Sequence, residues 1–173
     1  MHNKVLFLDR DGTLIRKFPY LCDPNKVFIE PGAIEALSIA QDRGFELVIV
    51  TNQSAIGRGL CARTEVEEIN SKVESILHES GIVIRETLMC PHTPIDDCAC
   101  RKPKIGLVEK YLTSDKSKPF FAMIGDQISD MEFGINIGAL CILYTTGKKL
   151  TQSAKGFYAT SSWREIGVLI GGI

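Results

Sequence analysis

A three-layer α/β domain built on a doubly wound parallel sheet is the fold this sequence predicts, and three observations predict it. Short apolar runs alternate with amphipathic helical periods along the chain. Three of the runs end in carboxylates or a hydroxyl, at the strand edge where open α/β sheets carry their ligand sites. The chain has 173 residues, enough for one such domain with a real core, and shows no repeat, low-complexity stretch or linker. Residues 1–173 therefore read as a single domain.

The elements follow in order. Residues 5–8 (Val-Leu-Phe-Leu) are a short buried strand. Residues 32–43 place Ile34, Leu37 and Ala40 at helical spacing and stop at Gly44. Residues 46–51 are a β-branched run and read as a buried strand. Residues 64–80 form a longer helix, with Thr64 as N-cap, Glu67 three residues later to complete a capping box, and Gly81 just past the end. A strand over 82–89 leads into a polar loop with Pro and Cys that runs to about residue 103. Residues 105–113 look helical, 120–126 extended, and 128–137 helical up to Gly138. A strand over 139–144 and a helix over 163–170 complete the chain. The alternation gives a Rossmann-like arrangement with helices on both faces of the sheet. A loop over 19–27 can overhang the end of the first strand.

Composition narrows the function classes. Hydrophobic content is 45%, charged content 24% and net charge −1, which excludes a polybasic surface for nucleic acid or anionic membrane. No apolar run approaches the roughly 20 residues of a membrane span. The first apolar run is four residues and ends in Asp-Arg-Asp, unlike a signal peptide. A cytoplasmic monomer acting on a small molecule is the expectation. The six cysteines are unevenly placed. Cys22, Cys61 and Cys141 are scattered, whereas Cys90, Cys98 and Cys100 enclose His92 within one loop. Three thiolates and one imidazole at that spacing suit a tetrahedral Zn²⁺ with no open position, a structural site.

The strand ends carry one set of chemistry. The first strand ends in Asp9-Arg-Asp11-Gly-Thr13. A carboxylate at such an edge can serve as nucleophile, and a second one two residues on can handle the proton. The second strand ends in Thr51-Asn52-Gln53 and a later one in Gly125-Asp126, with Asp130 one helical turn further. Asp9 and Asp126 can hold Mg²⁺, which takes oxygen ligands. The Thr51 hydroxyl, with Asn52 beside it, can hold phosphate oxygens, and Lys102 or Lys104 adds positive charge. Singly, each is also compatible with a turn, a helix cap or a solvated face.

With these residues in this order, the chain resembles the haloacid dehalogenase superfamily of phosphatases over roughly residues 4–147. Asp9-Arg-Asp11-Gly-Thr13 is similar to its first motif, Thr51 to its second, Lys102 to its third and Gly125-Asp126-x-x-x-Asp130 to its fourth. The resemblance implies a haloacid dehalogenase-type fold, with Asp9 forming an aspartyl-phosphate and Asp11 serving as acid and then base. It implies Mg²⁺ between Asp9, the backbone carbonyl of Asp11 and Asp126, with Thr51 and Lys102 holding the phosphate. Cys90-Pro-His92…Cys98-Ala-Cys100-Arg101-Lys102-Pro resembles the zinc-containing subgroup of D-glycero-D-manno-heptose 1,7-bisphosphate phosphatases and histidinol-phosphate phosphatases. That subgroup has no large cap domain, and its zinc loop delivers Arg101 and Lys102 to the phosphate.

Within the subgroup, Thr51-Asn-Gln-Ser-Ala-Ile-Gly-Arg58-Gly59 and Tyr144-Thr-Thr-Gly-Lys148 look like the heptose enzymes, with Ala55 in place of the usual Gly. Cys100-Arg-Lys-Pro-Lys-Ile-Gly-Leu-Val-Glu-Lys-Tyr111 and Ser162-Trp163 look like the histidinol-phosphate enzymes. Arg58 and Lys148 would suit a second phosphate at the far end of a sugar bisphosphate, while Tyr20 would suit an imidazole. Two readings of another class are a receiver domain, whose phosphorylated Asp would end a third strand, and a zinc-stabilised inactive scaffold.

Overall fold

The computed structural model describes residues 4–113, 119–145 and 156–173. Among these, six strands form one sheet: β1 (Lys4–Leu8), β2 (Phe45–Asn52), β3 (Ile84–Cys90), β4 (Phe120–Gly125), β5 (Leu140–Tyr144) and β6 (Tyr158–Thr160). Every pairing is parallel, in the order β3-β2-β1-β4-β5-β6. The chain winds outward from β1 through β2 to β3, then returns to lay β4 against the other side of β1. The strand order reverses between β1 and β4, and the crevice beyond their carboxyl ends is where such sheets bind ligands.

Helices cover both faces: α1 (Ala33–Asp42), α2 (Ser54–Gly57), α3 (Arg63–Glu79), α4 (Glu109–Leu112), α5 (Ile128–Asn136) and α6 (Trp163–Gly171). Alternation along β1 sorts the layers, because successive side chains of a strand point to opposite faces. Leu6 and Leu8 pack with Leu37 of α1, Val73 of α3 and Ile166 of α6. Val5 and Phe7 pack with Met131 and Phe133 of α5 on the other side. The Phe7 ring meets those of Tyr111, Phe121 and Phe133 at centroid distances of 5.4, 5.6 and 5.9 Å. This aromatic cluster buttresses the strand that carries Asp9.

The predicted alternation stands, with local corrections. The N-cap of α3 is Ala62, not Thr64: its backbone N–H donates to the Glu65 carboxylate at 2.6 Å. Glu67 lies within the helix and pairs with Arg63 at 3.7 Å. The stretch over 105–113 is helical only from Glu109, because the Gly106 N–H donates to the Ala99 carbonyl and ties this segment to the cysteine loop. The short α2 and the three-residue β6 carry too little periodicity to stand out in the sequence. Cys22 and Cys61, scattered in sequence, are joined as a disulfide that links the loop after β1 to the segment after α2.

Phe7 is fully buried and central to the face packed against α5. Phe7→Ala should cost about 3–5 kcal/mol of stability. The check is the urea unfolding midpoint, which should fall while the slope of the transition stays unchanged.

Candidate active site

The site begins where β1 ends. Leu8 pairs with Ile124 of β4 and Ile49 of β2, and the Asp9 N–H donates to the Ile124 carbonyl at 2.9 Å. Asp9 therefore sits at the switch point. The chain then turns sharply, with the Leu14 and Ile15 N–H groups both donating to the Arg10 carbonyl. Gly12 is required at this turn. Its φ of 91° lies in the left-handed region, and a Cβ there would stand 2.6 Å from Asp126 Oδ2. From the other end of the chain, the Trp163 indole N–H donates to the Thr13 carbonyl at 3.1 Å and pins the loop to α6.

Lys102 enters from the cysteine loop and is almost wholly buried. Its ammonium lies 2.6 Å from Asp9 Oδ1 and 2.7 Å from Asp130 Oδ1, and donates to the Val50 carbonyl at 2.5 Å. Burial opposes the Lys102 charge, but the Asp9 and Asp130 carboxylates outweigh it and hold the ammonium above the usual lysine range. Burial pushes the Asp9 carboxyl up to about 7; Lys102 pulls against that rise, and Asp130 and Asp11 add to it. Asp130 also caps α5, accepting from the Gln127 N–H at 3.0 Å. Gly125 permits this approach, since a Cβ there would lie 2.3 Å from that of Asp130.

Asp11 is held by groups that sequence reasoning missed. Its Oδ2 accepts from Arg10 Nε at 3.1 Å, from an Arg10 terminal nitrogen at 2.9 Å and from Gln53 Nε2 at 2.5 Å. Arg10 is fully buried and donates onward to Asn70 Oδ1 of α3 at 2.5 Å. Asp11 Oδ1 is buried with no partner. The one available signal was Asn70, a lone amide beside the apolar stripe Val66, Ile69 and Val73.

The remaining predicted residues are distributed as follows. Thr51 is buried at the end of β2, and its hydroxyl oxygen accepts from Gln53 Nε2 at 2.8 Å, leaving its O–H free to donate. Asn52 exchanges two bonds with the Lys102 backbone: its Oδ1 accepts from the Lys102 N–H at 3.0 Å and its amide donates to the Lys102 carbonyl at 3.2 Å. Asn52 thus holds the loop that delivers Lys102. The Arg101 guanidinium donates to the His92 carbonyl at 3.2 Å within that loop. Arg58 is exposed at the end of α2 and is not among the residues lining the cleft described below. Lys148 lies outside the described residues.

Two groups of side chains have the makings of metal sites. Oxygens of Asp9, Asp126 and Asp130 lie within 4.8 Å of one another, and Asp126 Oδ1 is buried without a partner. A set of hard oxygen donors with one left unpaired fits Mg²⁺. Cys90, His92, Cys98 and Cys100 converge within the same limit. Cys90 Sγ stands 3.6 Å from Cys98 Sγ and 3.1 Å from Cys100 Sγ, and His92 Nδ1 stands 3.2 Å from Cys100 Sγ. Zn–S bonds of about 2.3 Å in a tetrahedron need only slightly wider spacing, so this donor set fits Zn²⁺.

A cleft of about 620 Å³ opens above Asp11, between Lys17, Phe18 and Tyr20 on one wall and Gln53, Ser54 and Ala55 on the other. The Cys22–Cys61 disulfide ties the two walls together behind it. No described helix is long and apolar enough to cross a membrane.

The sequence model of the polynucleotide kinase 3 phosphatase family matches residues 4–139. The chain is 43% identical over 125 residues to a probable D-glycero-D-manno-heptose-1,7-bisphosphate 7-phosphatase of Thermoplasma volcanium, covering 72% of this chain and 86% of that one. It is 38% identical over 138 residues to the histidine biosynthesis bifunctional protein HisB of Legionella pneumophila, covering 78% of this chain but only 39% of the relative. In three dimensions it is similar to the D,D-heptose 1,7-bisphosphate phosphatase of B. bronchiseptica, solved with magnesium and phosphate, at a TM-score of 0.83 and 26% identity over 96% of this chain and 97% of that one. The chain belongs to the heptose bisphosphate phosphatase and HisB-like family of the haloacid dehalogenase superfamily, and it is a phosphoric monoester hydrolase.

Proposed function

We propose that this chain, acting as a single catalytic domain, removes the 7-phosphate of D-glycero-D-manno-heptose 1,7-bisphosphate through an aspartyl-phosphate on Asp9. The observation that carries the chemistry is the pairing of Asp9, at the switch point and 2.6 Å from Lys102, with an Asp11 that keeps one carboxylate oxygen free. An Asp9 oxygen attacks phosphorus, and the bond from phosphorus to the sugar oxygen breaks. Asp11 Oδ1 carries the proton that the leaving alkoxide takes up. Asp11 then accepts a proton from water, which attacks the phosphorus, breaks its bond to Asp9 and releases inorganic phosphate. Lys102 and the Thr51 O–H offset and hold the charge on the phosphoryl oxygens, and Arg101 adds positive charge beside them. Asn52 contributes by fixing the Lys102 backbone. Asp9, Asp126 and the Asp11 carbonyl would hold Mg²⁺, whose charge would add to that of Lys102 and Arg101 at the transferring group when it is bound.

Zn²⁺ on Cys90, His92, Cys98 and Cys100 has a structural role in this reading. It closes the loop that presents Arg101 and Lys102. The reaction needs neither nucleic acid nor membrane, and the protein acts as a monomer in the cytoplasm. Histidinol phosphate is the second reading, favoured by the HisB relatives and by the half-exposed Tyr20 ring on the cleft.

Phosphate release with Mg²⁺ from the heptose bisphosphate, histidinol phosphate and p-nitrophenyl phosphate, compared by kcat/KM, tests the substrate. The heptose bisphosphate should lead by at least about tenfold, a difference of about 1.4 kcal/mol in transition-state binding. Preference for histidinol phosphate would replace the first reading by the second.

Asp9→Asn should lower kcat by at least about a thousandfold while far-UV circular dichroism and Tm stay near wild type. Retention of more than about a tenth of the activity would remove Asp9 as the nucleophile. Metal analysis of protein purified without chelator should find about one Zn²⁺ per chain, retained through Mg²⁺ exchange. Cys98→Ser should lower Tm and reduce activity through the displaced Lys102. A zinc-free protein of equal Tm and activity would refute the structural role.

A further inference from the structure

Asp11 and Lys17 are the charged side chains among the residues lining the cleft. Asp11 is committed to Arg10 and Gln53 through one oxygen and to proton transfer through the other. Lys17 is different. Its ammonium lies 2.5 Å from Asp126 Oδ2, yet 56% of its side chain is exposed. Its stem passes over Gly12, where a Cβ would stand 3.2 Å from Lys17 Cδ. The two lysines divide the carboxylate cluster between them. Lys102 serves Asp9 and Asp130, buried and fixed by three partners. Lys17 serves Asp126 alone, from a flexible chain at the mouth of the cleft.

Those two situations respond differently to a divalent cation on Asp126. Such an ion places like charge beside the Lys17 ammonium and takes over the neutralisation of its carboxylate. Lys17 is then free to turn into the cleft, whose opposite wall offers the Ser54 hydroxyl and no other cation. Resting on the phosphatase reading above, we propose that Lys17 is the specificity-determining residue that binds the second anionic group of a bis-anionic phosphate ester. The same charge disfavours a substrate with an ammonium at that end, as in histidinol phosphate. Arg58 does not line the cleft, although its backbone N–H donates to the Ser54 carbonyl at 3.0 Å.

The test uses the Mg²⁺-loaded enzyme with the heptose bisphosphate and p-nitrophenyl phosphate, and a binding measurement that does not depend on turnover. Lys17→Ala should raise KM for the bisphosphate about tenfold or more, with kcat and the p-nitrophenyl phosphate constants changed less than about twofold. Lys17→Arg should restore most of the loss. In an Asp9→Asn background, calorimetric titration of the bisphosphate should show the same rise in Kd on adding Lys17→Ala. Equal losses on both substrates, a changed Mg²⁺ requirement on both, or an unchanged Kd would overturn the assignment of Lys17 and leave the heptose reading intact. A wild-type enzyme that prefers histidinol phosphate would overturn both.

Discussion

The buried ammonium of Lys102 is the interaction on which the rest of the site depends. Three carboxylates, Asp9, Asp126 and Asp130, converge where the sheet reverses its strand order. Gathering like charges in a water-poor crevice is costly without a cation among them. Lys102 supplies one, 2.6 Å from Asp9 and 2.7 Å from Asp130, and its third hydrogen bond goes to a β2 carbonyl. Removing it would leave two buried carboxylates without their shared partner. The molecule accordingly spends much structure on holding it. Asn52 grips its backbone from β2, the cysteine loop closes behind it, and Gly125 lets Asp130 approach.

A second support system holds Asp11 apart from this cluster. Arg10 and Gln53 both bind one oxygen of Asp11, and Arg10 is anchored in turn to Asn70 on α3. The helix that connects β2 to β3 and packs on one face of the sheet therefore also fixes the orientation of the Asp11 side chain. Trp163 of α6 does the same for the Thr13 backbone from the opposite end of the chain. Packing and site geometry are consequently one problem here: a shift of α3 or α6 would be felt at Asp11.

Much of this was legible in the sequence because the informative residues are local. Asp9 and Asp11 share one turn, Gly125, Asp126 and Asp130 share another, and the four zinc-type ligands share one loop. The supporting contacts were not legible, because they join residues far apart in the chain. Arg10 meets Asn70 across 60 positions, and Cys22 meets Cys61 across 39. Asn52, read as a phosphate ligand from its place beside Thr51, spends its amide on the Lys102 backbone. Lys17 gave no signal, since a lysine in a loop is ordinarily a solvated charge.

Counting the charges of the carboxylate cluster shows what a divalent cation would add to the site. In the cluster where the candidate metal ligands converge, Asp9, Asp126 and Asp130 contribute three negative charges and Lys17 and Lys102 two positive ones. The cluster carries one net negative charge and would repel a phosphate dianion. A single Mg²⁺ would reverse the sign to one net positive charge, and Lys17, more than half exposed and paired only with Asp126, is the cation of the cluster freest to move. Attraction for substrate, neutralisation of Asp126 and the proposed release of Lys17 into the cleft would then follow from one binding event. Buried Lys102 is fixed by Asp9, Asp130 and the Val50 carbonyl, which would separate the cation that supports the proposed nucleophile from the one proposed to read the substrate.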